Sequence, residues 1–271
     1  MRLAPAALWL ATTPFTTGCA ALGGINLFSP AQDVELGAQS YEQILAEERI
    51  ITSGDKFQMV ERATARLVES ARHYDPEIAD LFEWEVKLID NDETVNAFCL
   101  PGGKMAVYSG ILPVAETETG LAVVMGHEIA HATKRHGTEA VTRQLGISVL
   151  LEAIAGDNAE ALGLASNLLV GLPMGRGAEL EADREGLNYM AYAGYDPREA
   201  VAFWERMGQL GGGAPPEFLS THPSHGRRIE QLQSLLPDAI AIYEQRQGLE
   251  PPPTTLLPSP ETTGKDKVRT Y

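Results

Sequence analysis

The sequence predicts an α+β fold, mostly helical, with a small sheet and a histidine-bearing helix packed on an acid-bearing one. Three observations carry this. Apolar residues recur at helical spacing through long stretches, among them 55–74, 117–136 and 179–194. Strand-like runs are few and short, confined to residues 84–108. The 271 residues, 44% hydrophobic and 21% charged, suffice for one full-sized core. The expected organisation is a leader over 1–18, a tether over 19–28, one domain over 29–247 and a tail over 248–271.

The 37 acidic against 21 basic residues give a formal charge of −16. This argues against a nucleic-acid partner and against charge-driven binding to an anionic membrane. The first eighteen residues hold one charge, Arg2, then the apolar run Leu3 to Leu10 and a Thr/Pro-rich step to Gly18-Cys19. Too short to span a bilayer, this reads as a secretory signal peptide. A cysteine after a small residue resembles a bacterial lipoprotein cleavage site, although Thr16 stands where Leu is usual. The alternative is an ordinary signal peptide with an incidental cysteine and a soluble periplasmic product. Lipidation of Cys19 would leave Cys99 as the last thiol and exclude an intramolecular disulfide. Resemblance to Gram-negative sorting rules, with Ala20 after the cysteine, points to the periplasmic face of the outer membrane.

Along the domain, Ser29-Pro30-Ala31-Gln32 opens a helix to about Glu48, with Ser as cap, Pro first and Gln third. A second helix follows Gly54-Asp55 through Phe57, Val60, Leu67, Ala71 and Tyr74 and stops at Asp75-Pro76. His73 at its end reads as a surface or capping residue. Trp84 to Leu88 alternates as a strand, and Asn96–Leu100 and Met105–Tyr108 form a hairpin around Pro101-Gly102-Gly103. Cys99 there is a small buried apolar residue.

The helix from about Thr117 to His136 carries Gly126-His127-Glu128-Ile129-Ala130-His131. Residues four apart share a helix face, so His127 and His131 can aim two imidazole nitrogens at one point, with Glu128 beside it. Two neutral imidazoles suit one Zn²⁺, and the adjacent carboxylate suits a general base acting on an activated water. Gly126 lowers helix propensity by about 1 kcal/mol relative to Ala, which implies a close-packing reason. His136, nine residues after His127, falls on the opposite face of a continuous helix and reads as a C-terminal residue favourable to the dipole. Residues 140–173 read as a helical hairpin, or as a mobile or membrane-dipping element, too interrupted to span a bilayer.

A third ligand is sought on the helix holding Glu179-Leu180-Glu181-Ala182-Asp183, which ends near Gly194. Glu179, Ala182, Asp183, Gly186 and Met190 form one stripe, while Glu181 and Glu185 lie roughly 160° to 200° away and read as solvated. Glu179 is the preferred ligand, with Asp183 one turn behind it to orient a ligand histidine. An exposed acidic face remains the alternative on these residues alone. Ser220-Thr221-His222-Pro223 similarly reads as a turn with a surface histidine. A last helical pattern over 226–247 is expected to break at Pro237, and Pro251-Pro252-Pro253 begins a Pro/Thr-rich tail.

Taken in order, Asn96-Ala97-Phe98 with Pro101-Gly102-Gly103, His127-Glu128-x-x-His131, Glu179-x-x-x-Asp183 and Ser220-Thr221-His222-Pro223 resemble peptidase family M48. These zinc metallopeptidases of the HtpX, BepA and CAAX-prenyl-endopeptidase type are gluzincins. The resemblance spans about residues 29 to 235, with Gly175-Arg176 where Ser-Arg is usual, and fits a compact lipoprotein branch without a helical-repeat domain. It implies His127, His131 and Glu179 as zinc ligands and Glu128 as catalytic base. It also implies His222 near the metal as a fourth ligand that keeps the enzyme latent, and Asn96, Ala97 and Phe98 as a strand pairing with substrate. The function implied is an envelope metalloendopeptidase for misfolded or unassembled proteins. The alternative is a zinc-binding chaperone or assembly factor with little proteolysis.

Overall fold

The computed structural model describes residues 24–145, 165, 169, 171–210, 216–222 and 227–249. Helix α1 (Pro30–Leu45) starts on the expected capping box: the Ser29 hydroxyl accepts from the Gln32 backbone N–H, and the Gln32 side chain accepts from that of Ser29. Helix α2 (Asp55–Tyr74) and the short α3 (Pro76–Ala79) follow, interrupted by Asp75-Pro76 as expected. Between α1 and α2 lies a two-residue strand, β1 (Ile50–Ile51), too short to leave a periodic signal.

Strands β2 (Glu85–Ile89), β3 (Ala97–Leu100) and β4 (Lys104–Tyr108) complete a four-stranded sheet of order β1-β2-β4-β3. β3 and β4 form the expected antiparallel hairpin, Ala97 opposite Val107. Its turn needs positive φ at Gly102 (77°) and Gly103 (87°), backbone that only glycine adopts without strain. β2 and β4 pair in parallel, Glu85 opposite Lys104, which leaves β3 at an edge. Alternation along β4 sends Met105 and Val107 into one core cluster with α2, and Ala106 and Tyr108 into another with Leu36 and Tyr41 of α1.

A short α4 (Leu112–Ala115) leads into α5 (Glu118–Thr133), capped by the Thr117 hydroxyl accepting from Gly120 N–H. Every residue of α5 from Gly120 to Thr133 is buried. It is a central helix, enclosed by α2, by α7 (Arg176–Tyr192), by α8 (Glu199–Gln209) and by β3. It ends three residues before the expected boundary. Arg135 turns the chain with φ of 60°, and α6 (His136–Leu145) sets off in a new direction. That left-handed conformation is unfavourable for a side-chain-bearing residue, and a buried grip offsets its cost. The Arg135 guanidinium donates to Asp33 of α1 at 2.5 Å and to the Phe28 carbonyl. Residues 24–28, expected to end a tether, lie along α6, with Asn26 Nδ2 donating to Thr138 Oγ1 at 2.8 Å.

Helix α9 (Glu217–Thr221) precedes His222, and α10 (Arg228–Arg246) closes the described fold. Pro237 does not break α10; it lies inside it. Leu232 before it and Ala239 after it are both buried in the main core, so packing on either side outweighs the lost backbone hydrogen bond. His73 is exposed and stacks on Tyr192 at 4.2 Å. No helix of the described residues is long and apolar enough to cross a membrane. The leader, Cys19, most of 140–173 and nearly all of the tail lie outside the described residues.

Candidate metal centre

Two glycines set the site. Gly126 of α5 and Gly186 of α7 face each other so closely that a Cβ on Gly186 would lie 2.8 Å from the His127 backbone nitrogen. The helices therefore touch backbone to backbone, and the expected stripe of Glu179, Ala182, Asp183, Gly186 and Met190 is buried along the contact. Close approach lets a carboxylate in the first turn of α7 reach the histidines of α5.

His127, His131, Glu179 and His222 are all 2–5% exposed, and each offers one donor atom within 4.8 Å of every other. His127 Nε2 is 3.0 Å from His131 Nε2, 3.5 Å from Glu179 Oε2 and 3.4 Å from His222 Nδ1. Glu179 Oε1 is 3.3 Å from His131 Nε2 and 3.1 Å from His222 Nδ1. Donors about 2.0–2.1 Å from a tetrahedral centre stand about 3.3–3.4 Å apart, so the spacing and the three-nitrogen, one-oxygen set fit a small divalent cation. His222 follows α9 as its C-cap and stacks on Phe218 with ring centroids 4.6 Å apart. The His222 ring is therefore anchored against the core.

The electrostatics favour positive charge at this point. Burial opposes ionisation of His127, yet hydrogen bonds to Asp183 and Glu179 push it up to about 9. Burial would raise Glu179, but His127, His131 and His222 hold its carboxyl well below the usual range. Burial keeps His131 low, hence neutral and able to offer a lone pair. Glu128 is raised by burial, opposed in part by His222 and His127. Among the described residues its Oε1 has no hydrogen-bond partner, and it stands 3.4 Å from His222 Nε2. An unpartnered buried carboxylate oxygen beside a donor cluster is suited to receive a proton.

The acid one turn behind Glu179 also reaches a histidine: Asp183 Oδ1 is 3.0 Å from His127 Nδ1. Asn96, Ala97 and Phe98 lie at the edge of the sheet, and with Glu128, His131 and His222 they line one cleft.

Two residues at the site escaped the sequence reading. Arg228, the first residue of α10, is 5% exposed. It donates to Glu179 Oε2 at 3.1 Å and to Asp183 Oδ1 at 2.6 Å, with its guanidinium carbon 3.5 Å from the centre of the Trp204 ring. Its one sequence signal is its place a turn ahead of Leu232 on the buried face. His136 is not a dipole-facing residue at the end of the long helix. The turn at Arg135 folds it back, and its Nδ1 lies 2.9 Å from His131 Nδ1. Glu181 is correspondingly only half solvated, with Oε2 at 3.3 Å from His136 Nε2. Glu185 is mostly covered rather than solvated.

The sequence profile of peptidase family M48 matches residues 55–236, from α2 into α10. The chain is 38% identical over 187 residues to mitochondrial metalloendopeptidase OMA1 of Arabidopsis thaliana, covering 68% of this chain and 38% of that protein. It is 38% identical over 205 residues to the OMA1 of Saccharomyces cerevisiae, covering 69% and 57%. To the beta-barrel assembly-enhancing protease of Escherichia coli it is 28% identical over 225 residues, covering 77% and 45%. The chain thus spans roughly two fifths to three fifths of the length of these relatives.

Proposed function

The chain belongs to peptidase family M48, and on that premise we propose that it is a zinc metalloendopeptidase hydrolysing polypeptide substrates. The observation that carries this is the buried His127, His131, Glu179 and His222 donor set with Glu128 beside it. When bound, one Zn²⁺ supplies the Lewis acidity that polarises a scissile carbonyl and acidifies water. His127, His131 and Glu179 hold the ion. Glu128 accepts the proton of the attacking water on its carboxylate and passes it to the leaving amine. The outer edge of β3, at Ala97 and Phe98 with Asn96 just before it, pairs with an extended substrate backbone and tolerates varied sequence. Asp183 fixes His127 through Nδ1, and His222, lodged between the donor cluster and Glu128, holds the enzyme latent.

A zinc-binding chaperone or assembly factor with little proteolysis is the second reading, favoured by the same position of His222. One experiment separates them: casein cleavage by the wild type, Glu128→Gln and His222→Ala, each assayed for bound zinc. Glu128→Gln is expected to keep zinc and lose cleavage by about 10²-fold or more, the scale of general-base catalysis. His222→Ala is expected to cleave faster than wild type. Cleavage by Glu128→Gln at the wild-type rate would sink the assignment of the base, and no cleavage by any of the three favours the chaperone.

We place the enzyme, within the same proposal, at the periplasmic face of the outer membrane. There it would act on misfolded or unassembled envelope proteins, anchored by lipidated Cys19. The support is the leader pattern over 1–18 and the likeness to beta-barrel assembly-enhancing proteases. The mitochondrial relatives carry the family domain in another compartment, so the domain by itself does not fix the location. Cys19→Ser is expected to move the protein from the membrane fraction to the soluble one; unchanged partition would refute the anchor.

A further inference from the structure

The proposed reaction leaves His136 without a task, although it is 4% exposed and touches a residue of the donor set. His131 turns Nε2 towards His127 Nε2 and Glu179 Oε1 and turns Nδ1 towards His136. Beyond His136 stands Glu181, with its Oε2 at 3.3 Å from His136 Nε2. The order is Glu181, His136, His131, donor cluster.

A neutral imidazole carries one N–H, and which nitrogen bears it decides which can bind a metal. For His131 to offer Nε2 as a lone pair, its proton must sit on Nδ1. That N–H points at His136 Nδ1, 2.9 Å away, so His136 Nδ1 must accept. The proton of His136 is then on Nε2, where a donor needs an acceptor, and the Glu181 carboxylate is there. Each link has one donor and one acceptor, and the acid end fixes the direction. We infer that Glu181 and His136 are positioning residues that hold His131 in the tautomer and ring orientation that presents Nε2 to a metal ion. His127 receives the same service directly from Asp183, at 3.0 Å from its Nδ1. The α7 helix thus supplies a carboxylate for each histidine, and His131 needs an intermediary because Glu181 lies farther round the helix. The turn at Arg135 makes this contact; a helix continuing to residue 136 would carry the imidazole to the far side.

The inference rests on the proposed metal reading, and its test reads binding rather than activity. Zinc affinity of the full chain is measured by chelator competition for wild type, His136→Phe, Glu181→Leu and Glu181→Gln. Histidine tautomers of the zinc-loaded wild type are read from long-range ¹H–¹⁵N spectra. His136→Phe is expected to weaken zinc binding by about 10- to 100-fold and Glu181→Leu by about tenfold, the scale for groups that orient metal ligands. Glu181→Gln keeps an acceptor oxygen and is expected to stay within about threefold of wild type. The spectra are expected to show His131 protonated on Nδ1 and His136 on Nε2. If His136→Phe does not fold, Glu181→Leu decides, because the Glu181 side chain is 43% exposed. Unchanged affinity in Glu181→Leu, or a His131 proton on Nε2, would overturn the relay while leaving the metal site standing. A wild type that binds no zinc overturns both.

Discussion

At the scale of the residue, the site turns on charges that cannot stand alone. Glu179 and Asp183 lie one turn apart on α7, both buried, and both draw on the Arg228 guanidinium. Burial raises the Asp183 carboxyl, but Arg228 and His127 more than reverse this and hold it below the usual range. Removing one partner of a buried ion pair typically costs about 3–5 kcal/mol, because the other charge is left in low dielectric. Arg228→Met keeps most of the stem that covers Trp204 and removes the charge. Denaturant unfolding of the zinc-free variant is expected to show a loss of about that size, and a smaller one with zinc, since a bound cation neutralises Glu179. A zinc-free stability within about 1 kcal/mol of wild type, the range of an exposed pair, would refute this role.

At the scale of the element, α5 and α7 must touch backbone to backbone for Glu179 to reach the histidines. A Cβ on Gly186 would meet the His127 nitrogen at 2.8 Å, the Gly126 carbonyl carbon at 2.9 Å and the His127 Cα at 3.0 Å. Those are backbone atoms that cannot rotate away. Gly186→Ala is expected to cost about 1–3 kcal/mol in thermal unfolding, the range for overpacking, and to weaken zinc binding by displacing Glu179. Gly208 in α8 has nothing among the described residues within 4 Å of its Cβ position. Gly208→Ala is the control, expected to be neutral or stabilising by up to about 1 kcal/mol through helix propensity. Equal behaviour of the two variants would mean that helix contact is not what places Glu179.

At the scale of the molecule, α5, α7, His222 after α9 and Arg228 at the start of α10 meet at the site, residues 127 and 222 being 95 positions apart. A bound ion therefore ties distant parts of one chain. Ligand binding to the folded state alone stabilises it by about 4.1 kcal/mol at a concentration 1,000 times the dissociation constant. Chelation is expected to lower the melting temperature, with recovery on adding Zn²⁺ and none with Mg²⁺, which prefers oxygen donors. Identical melting with and without chelator would contradict the tie.

What the amino-acid order determined by itself is what local physics reaches. The capping box at Ser29 and Gln32, the apolar spacing of α2, the four-residue step from His127 to His131 and the acidic stripe on α7 each rest on steps of about one helical turn between successive positions. Spacing at that range fixes the face on which a side chain stands. Only the tertiary structure decided the parallel pairing of β2 with β4, the place of His136 and the part played by Arg228. Pro237 belongs with them, carried inside α10 by packing on both sides. His136 shows the reason most clearly. Helical spacing sends it away from His131, but Asp33, 102 residues distant in sequence, grips Arg135 and turns the chain back. A periodic pattern carries no record of a grip from another helix, so that contact had to be found in space.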